Sequence, residues 1–133
     1  MDNNMRINTL LIANRGEIAI RIINTAKKMG IKTIAIFSAV DNNSPHVMLA
    51  DQAFCVGATN SQDSYLNRKK IIAIAKAEKI DAIHPGYGFL SEDSEFAQQC
   101  QQNNIYFIGP RAATLRAMAN KCEAKKLMRQ AGA

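Results

Sequence analysis

Five short apolar runs, separated by stretches with helical periodicity, are the feature that most constrains how this chain folds. The first run, residues 9–13, is apolar along its length, which is typical of a strand covered on both faces. Residues 15–29 follow with apolar side chains three and four positions apart, which predicts an amphipathic helix. Further strands are predicted at 33–37, 53–56, 81–84 and 105–109, and further helices within 41–50, at 67–78, from about 91, at 111–118 and at 120–131. Because strands that alternate with helices form βαβ units, the sequence predicts an α/β fold: an open parallel sheet of about five strands with helices on both faces.

Length and charge narrow the class of protein. The chain has 133 residues, of which 47% are apolar, which suits one domain with a hydrophobic core. The net charge is +6, and residues 111–133 alone carry six basic side chains against Glu123. Such a cluster favours an anionic partner, although a solvated helix face explains it as well. Nucleic acid is the disfavoured anion, because no aromatic side chain is interleaved with the basic ones to stack on bases.

The cellular compartment of the protein is predicted from three features that the sequence lacks: a membrane helix, an apolar leader and a CxxC pair. No apolar run approaches the ~20 residues that a membrane helix needs, and the first residues have no apolar leader core. Cys55, Cys100 and Cys122 form no CxxC pair, so we interpret them as reduced, small apolar residues. These observations predict a cytoplasmic protein, without membrane association, or a mitochondrial matrix protein if the source is a eukaryote.

Two unusual loops are predicted to meet at one place in the sheet. In open parallel sheets, ligands bind beyond the carboxyl ends of the strands, where the strand order reverses. With the common order 3-2-1-4-5, that point lies between the first and fourth strands. The loops that follow these strands are residues 14–17, Asn-Arg-Gly-Glu, and residues 84–89, His-Pro-Gly-Tyr-Gly-Phe. We therefore expect a ligand crevice between them.

The first loop has no dinucleotide fingerprint, because Gly16 stands alone where the pattern needs three glycines. Asn14 and Glu17 are spaced as a helix-capping pair. Arg15 and Glu17 either form a structural ion pair or reach a neighbouring domain. For this loop the structural and the functional interpretation both stay open.

The second loop places Gly86 and Gly88 around Tyr87. Two glycines allow positive φ and a close approach by another group, so the loop suits a small-molecule pocket. The alternative is a tight turn with Tyr87 packed at the edge of the core. His84 has no Cys, His or carboxylate at metal-ligand spacing, so a hydrogen-bonded structural role is favoured for it. The sequence contains neither a Walker A pattern nor a Gly-x-Ser-x-Gly nucleophile elbow.

Lys121 is the most informative single residue. It follows Asn120, the predicted cap of the last helix, and so lies at the positive end of the helix dipole. A cation is locally unfavourable there, and an anionic phosphate bound at the helix start would offset both charges. The alternative is a lysine that bends into solvent.

The motifs of this chain resemble those of one family, the biotin carboxylases. The resemblance rests on segments that occur in the family's order from residue 10 to the end of the chain: 12–19, 46–51, 64–67, 83–92, 107–110 and 118–121. The run Ile-His-Pro-Gly-Tyr-Gly-Phe-Leu-Ser-Glu at 83–92 is the most specific of them. By resemblance, residues 1–133 are the N-terminal domain, a Rossmann-like pre-ATP-grasp domain, with ATP-grasp and C-terminal domains downstream.

The resemblance also implies a reaction and a site. ATP and bicarbonate would give carboxyphosphate, with magnesium supporting that step, and the carboxyl group would pass to biotin. Lys121 matches a lysine that contacts ATP, and Tyr87 with Gly86 and Gly88 matches the loop beside the biotin and bicarbonate pocket. Further candidate cofactor-binding residues are His84, Asn14, Arg15 and Glu17. The family's catalytic and magnesium-binding residues lie downstream, so the fragment alone is expected to be inactive.

Partners and substrate follow from the same resemblance. The expected partners are the ATP-grasp domain, a biotin carboxyl carrier domain and a carboxyltransferase subunit, in an oligomeric parent. Asn24 and Lys28 stand where bacterial acetyl-CoA carboxylase subunits have an arginine and a glutamate, which favours a 3-methylcrotonyl-CoA carboxylase first and a propionyl-CoA carboxylase second. The alternatives are the N-terminal domain of another ATP-grasp ligase and a stand-alone nucleotide-binding α/β module.

Overall fold

The computed structural model describes residues 7–58 and 64–109. Its strands are β1 (Thr9–Ile12), β2 (Lys32–Ser38), β3 (Gln52–Gly57), β4 (Ala82–His84) and β5 (Tyr106–Phe107). Its helices are α1 (Gly16–Lys28), α2 (Pro45–Leu49), α3 (Arg68–Ala77) and α4 (Ser94–Gln102), with a 3₁₀ turn at Ala39–Asp41. The helices predicted at 111–118 and 120–131 lie outside the described residues.

The five strands form one sheet in the order β3-β2-β1-β4-β5, and all four neighbouring pairs are parallel. This confirms both the α/β class and the order assumed from the sequence. Ile12, the last residue of β1, pairs with Ala35 on one side and with His84 on the other. The strand order reverses at β1, so the β1–β4 boundary is the switch point of the sheet.

Two hydrophobic clusters cover the two faces of the sheet, and β1 contributes to both. Leu10 and Ile12 face the cluster that α1 completes with Ala19, Ile23 and Ala26. The side chains of Leu11 and Ala13 belong to the other cluster, together with the buried residues of α3 and α4. Alternate residues of a strand point to opposite faces, so an apolar strand needs helices on both sides. The prediction of helices on both faces is confirmed.

Glycine or a residue with positive φ ends each of the longer helices. After α1, Gly30 has φ +77°, and the N–H of Ile31 donates to the carbonyl of Ala26 at 2.9 Å. The same six-residue closure follows α3 at Lys79 and α4 at Asn104, each with φ between +50° and +60°. This is the Schellman arrangement, which satisfies carbonyls that the helix end leaves without partners. The predicted stop at Gly30 is confirmed.

One predicted helix start and one predicted helix cap were wrong. The helix expected from Ser91 begins at Ser94, because Asp93 is its cap and accepts a hydrogen bond from the N–H of Phe96 at 3.0 Å. Helix α1 has no side-chain cap: Arg15 occupies the cap position, and Asn14 makes its contacts elsewhere. The fifth strand is also shorter than the predicted range 105–109.

The cysteines divide by environment. Cys100 is buried in α4, while Cys55 is exposed on β3. Both thiols are free in the part of the chain that the structure describes. Within that part, none of the helices has the length and apolar character to cross a bilayer.

Candidate functional site

The carboxyl ends of β1 and β4 bring the two unusual loops together. The N–H of Ala13 donates to the carbonyl of His84 at 2.9 Å, which extends the parallel ladder by one residue beyond β1. Both segments then leave the sheet. The segment after β1 leads into α1, and the segment after β4 enters the glycine loop, which we define as residues 85–90. The two loops therefore meet at the switch point, as the sequence predicted.

Asn14 joins the two loops directly. Its side chain is buried, and Nδ2 donates to the carbonyl oxygens of Pro85 at 2.8 Å and Tyr87 at 2.7 Å. Its Oδ1 accepts a hydrogen bond from the N–H of Arg15 at 2.8 Å. The predicted capping pair of Asn14 with Glu17 is thus wrong, because the amide points across the crevice rather than along α1.

Gly86 is required by this close approach. Its φ is +67°, and a Cβ placed on it would lie 2.8 Å from Nδ2 of Asn14 and 3.3 Å from Cβ of Asn14. Gly88 has nearly the same φ, +68°, but a Cβ there would meet nothing within 4 Å. The two glycines therefore serve different purposes: Gly88 supplies backbone conformation, and Gly86 supplies both conformation and space.

Tyr87 projects from the loop with 78% of its surface exposed. The alternative in which this ring packs at the edge of the core is therefore wrong. Tyr87 and His84 line a groove of about 340 Å³ together with residues of α1, among them Ile18, Arg21 and Ile22. An exposed phenol beside an apolar groove offers a flat face and one hydroxyl to a small molecule.

His84 has the hydrogen-bonded role that its position at a strand end favoured. Its Nδ1 accepts from the N–H of Gly86 at 3.1 Å, so in the neutral ring the proton lies on Nε2. Burial lowers the pKa of His84 below its ordinary value, because the charged form loses solvation. The imidazole is therefore neutral at pH 7 and supports the turn into the glycine loop.

Arg15 is anchored by Asp41 and not by Glu17. Its Nε donates to Oδ2 of Asp41 at 3.0 Å, so the ion pair with Glu17, one of the two alternatives for this loop, does not form. The hydroxyls of Tyr65, at 2.8 Å, and Ser38, at 3.1 Å, donate to the same oxygen. We call Arg15, Ser38, Asp41 and Tyr65 the Asp41 cluster. Glu17 lies exposed in the first turn of α1, where an acid complements the helix dipole.

The electrostatics of the Asp41 cluster follow from these contacts. The hydrogen bond from Arg15, opposed by burial and helped by Tyr65 and Ser38, lowers the pKa of Asp41 to about 2. Burial, together with the hydrogen bond to Asp41, raises the pKa of Tyr65 to about 12. Asp41 is thus a carboxylate and Tyr65 a neutral phenol at pH 7. Sequence reasoning missed both residues as parts of the site; Tyr65 lies in the motif 64–67, but the motif does not say what it contacts.

The remaining predictions concern Lys121, a possible metal site and the full set of predicted site residues. Lys121 lies outside the described residues, so its relation to the crevice stays a prediction. The described ranges, 7–58 and 64–109, contain no group of three His, Cys, Asp or Glu side chains that could hold a metal ion. Of the eight predicted site residues, the structure brings Asn14, Tyr87, Gly86 and His84 together, with Arg15 and Gly88 beside them.

Together, the five-stranded sheet and the two loops define a doubly wound α/β domain with a glycine-containing loop and one exposed tyrosine at its switch point. In open α/β sheets, small-molecule ligands commonly bind at this position. Among the residues described, it holds no nucleophile activated by a neighbouring base.

Comparison with known proteins identifies which α/β family this is. The family described as "Biotin carboxylase, N-terminal domain" matches residues 6–115. The chain is 50% identical to biotin carboxylase 1 of Bacillus subtilis and 53% identical to the mitochondrial methylcrotonoyl-CoA carboxylase subunit alpha of Mus musculus, each over 126 residues and 95% of the chain. The chain belongs to the biotin carboxylase N-terminal domain family, as the motifs had indicated.

A solved structure supports the same assignment. The biotin carboxylase domain of Hydrogenobacter thermophilus 2-oxoglutarate carboxylase, in complex with MgADP, ADP and bicarbonate, has 41% identity and a TM-score of 0.85 over 97% of this chain. The chain spans only 28% of that structure, 28% of the Bacillus relative and 18% of the mouse relative. It corresponds to one domain of larger carboxylases.

Proposed function

We propose that this chain serves as the N-terminal domain of an ATP-dependent biotin carboxylase, a carbon–nitrogen ligase. In the proposed reaction, a bicarbonate oxygen attacks the γ-phosphate of ATP, which gives carboxyphosphate and releases ADP. The carboxyl group then passes to a ureido nitrogen of biotin, with loss of the nitrogen's proton and release of phosphate. The match of residues 6–115 to the family is the observation that carries the proposal.

The crevice fits the biotin and bicarbonate side of this reaction. Tyr87 is exposed beside an apolar groove, and its loop is held at the switch point, where a small ring system can lie against it. Gly86, Gly88 and His84 shape that wall. We propose that Lys121 supplies the ATP contact, because its predicted place at a helix start suits a phosphate. Magnesium ligands are proposed to come from downstream domains.

The parent protein is proposed to be an acyl-CoA carboxylase with a biotin carrier domain and a carboxyltransferase subunit. Asn24 and Lys28 are exposed on α1, where they would meet another chain rather than the core. They support 3-methylcrotonyl-CoA as the first candidate substrate and propionyl-CoA as the second; the identity to the mouse propionyl-CoA carboxylase alpha chain is 52% over 122 residues. The proposed compartment is the cytoplasm, or the mitochondrial matrix in a eukaryote.

The test uses the full-length protein that contains this chain. We expect bicarbonate- and biotin-dependent release of ADP from MgATP. We also expect Lys121→Ala to raise the KM for ATP or to lower kcat, and Lys70→Ala on α3 serves as a control for the loss of one basic side chain. ADP release that needs a different acceptor than biotin would replace the proposal with another ATP-grasp ligase. Kinetics of Lys121→Ala equal to those of wild type would remove this residue from the site.

A further inference from the structure

Asn14 is the most enclosed polar side chain of the crevice, with only 2% of its surface exposed. Both hydrogens of its Nδ2 are donated, to Pro85 and Tyr87, and its Oδ1 is engaged by the N–H of Arg15. A side chain so placed touches the protein on every side. Any effect it has on a ligand must therefore pass through the segments it holds, the glycine loop and the backbone at Arg15.

The geometry requires an asparagine. Two carbonyl oxygens, separated by one residue in sequence, converge on a single nitrogen that carries two hydrogens. Serine and threonine offer one donor, aspartate offers none when ionised, and glutamine is one methylene longer. Asparagine is the residue that makes both bonds from this position on the chain.

The loop that receives these bonds has an unusual backbone. Gly86, Gly88 and Phe89 all have positive φ, at +67°, +68° and +47°. Phe89 has a side chain, so its conformation carries a cost that surrounding contacts must offset. Its ring lies against Tyr65, with centroids 5.3 Å apart. On the other side of the loop, Asn14 supplies the hydrogen bonds to the two carbonyls that flank Gly86.

We propose that Asn14 is a positioning residue: by binding the carbonyls of Pro85 and Tyr87, it holds the glycine loop in the conformation that presents Tyr87 to biotin. This deepens the proposed function and rests on it for the identity of the ligand. The loop conformation itself depends only on contacts within the chain, so it is measured separately.

The first test is hydrogen exchange of the full-length protein, read by mass spectrometry on peptides that cover 84–92 and 66–77. Asn14→Asp is close to the native residue in size and removes both donors. We expect it to speed exchange in 84–92 about 10-fold or more, as expected when a local structure loses its anchoring bonds, and to leave 66–77 unchanged. Asn67→Ala is the matched control, since the Asn67 side chain accepts from the N–H of Lys70 at the start of α3. It should change 66–77 and not 84–92. Unchanged exchange of 84–92 in Asn14→Asp overturns the proposal.

The second test is kinetic and separates positioning from mere stability. In the folded full-length enzyme, Asn14→Asp should raise the KM for biotin by about 10- to 100-fold, the loss that a small misplacement at a site produces. The KM for ATP should change much less, and Asn67→Ala should move neither. Faster loop exchange with an unchanged KM for biotin would show that Asn14 is only structural, and would overturn the positioning role.

Folding failure is covered by a second pair of variants. If Asn14→Asp does not fold, the same exchange and KM measurements are made on Gly86→Ala, whose Cβ displaces Asn14, and on Gly88→Ala, whose Cβ meets open space at the same φ. A larger effect of Gly86→Ala supports the proposal, and equal effects overturn it. If the wild-type enzyme shows no biotin-dependent ADP release, the proposed function is wrong. The exchange result still decides how Asn14 acts on the loop.

Discussion

At the scale of single residues, the contact between the two loops depends on the side-chain amide of Asn14 and on the absence of a Cβ at Gly86. Asn14 was expected to cap α1 and instead crosses to residues 85 and 87, more than 70 positions away. Gly86 was recognised in the sequence as a point of close approach, but the group that approaches it was not. A glycine permits either a positive φ or a close approach, whereas only the packed chain shows that Asn14 is the group that approaches Gly86.

The two glycines give a prediction at this scale. Gly88→Ala should lower the free energy of unfolding by about 1–2 kcal/mol, the cost of a left-handed conformation for a residue with a Cβ. Gly86→Ala should cost the same plus about 1–3 kcal/mol, since its Cβ overlaps Asn14. Urea unfolding of the two variants measures the difference. Equal losses would mean that Asn14 moves aside without cost.

At the scale of elements, loops from three strands meet in the Asp41 cluster. Arg15 follows β1, Ser38 ends β2, and Tyr65 lies between β3 and α3. Asp41 accepts hydrogen bonds from all three, so it fixes how the loops at this edge lie relative to one another. At the opposite edge, reciprocal pairs do the same: Thr9 with Asp81 ties β1 to β4, and Thr33 with Asp51 ties β2 to β3.

This cluster predicts a pH dependence. The pKa of Asp41 is about 2 in the folded protein and 3.8 without its partners. Its contribution is therefore complete above pH 4 and is lost as pH falls from about 4 to about 2. We expect Asp41→Asn to cost about 1–2 kcal/mol at pH 6, after allowance for the half-exposed Arg15, and less at lower pH.

Urea unfolding from pH 6 down to the lowest pH at which both proteins fold measures this loss. Tyr65→Phe is the control, because it removes one neutral hydroxyl and should cost about 1 kcal/mol while keeping most of the pH dependence. A cost of Asp41→Asn that stays constant with pH would contradict the assignment of Asp41 as the charged centre of the cluster.

At the scale of the whole molecule, we propose that the domain supplies one wall of a site. The described residues hold the glycine loop, the groove and Arg15, and the family to which they belong forms part of larger carboxylases.

This gives a prediction for residues 1–133 produced alone. The isolated chain should show no biotin-dependent cleavage of ATP, because the proposed magnesium and bicarbonate ligands lie in downstream domains. The measurement is ADP release by the purified fragment in the presence of MgATP, bicarbonate and biotin. The full-length protein is the positive control. Biotin-dependent ADP release by the fragment would refute the prediction that it is inactive without the downstream domains.

The sequence by itself determined the elements, their faces and the place where the two unusual loops meet. Apolar runs and helical spacing are local, so they predicted five strands, their helices and the loops at 14–17 and 84–89. Motifs predicted the family. Only the tertiary structure decided which polar side chains meet: Asn14 with Tyr87, Arg15 with Asp41, and Asp93 as the cap of α4. The physical reason is that a short polar side chain has several partners within reach of its local backbone, and the packing of distant segments decides which one it takes.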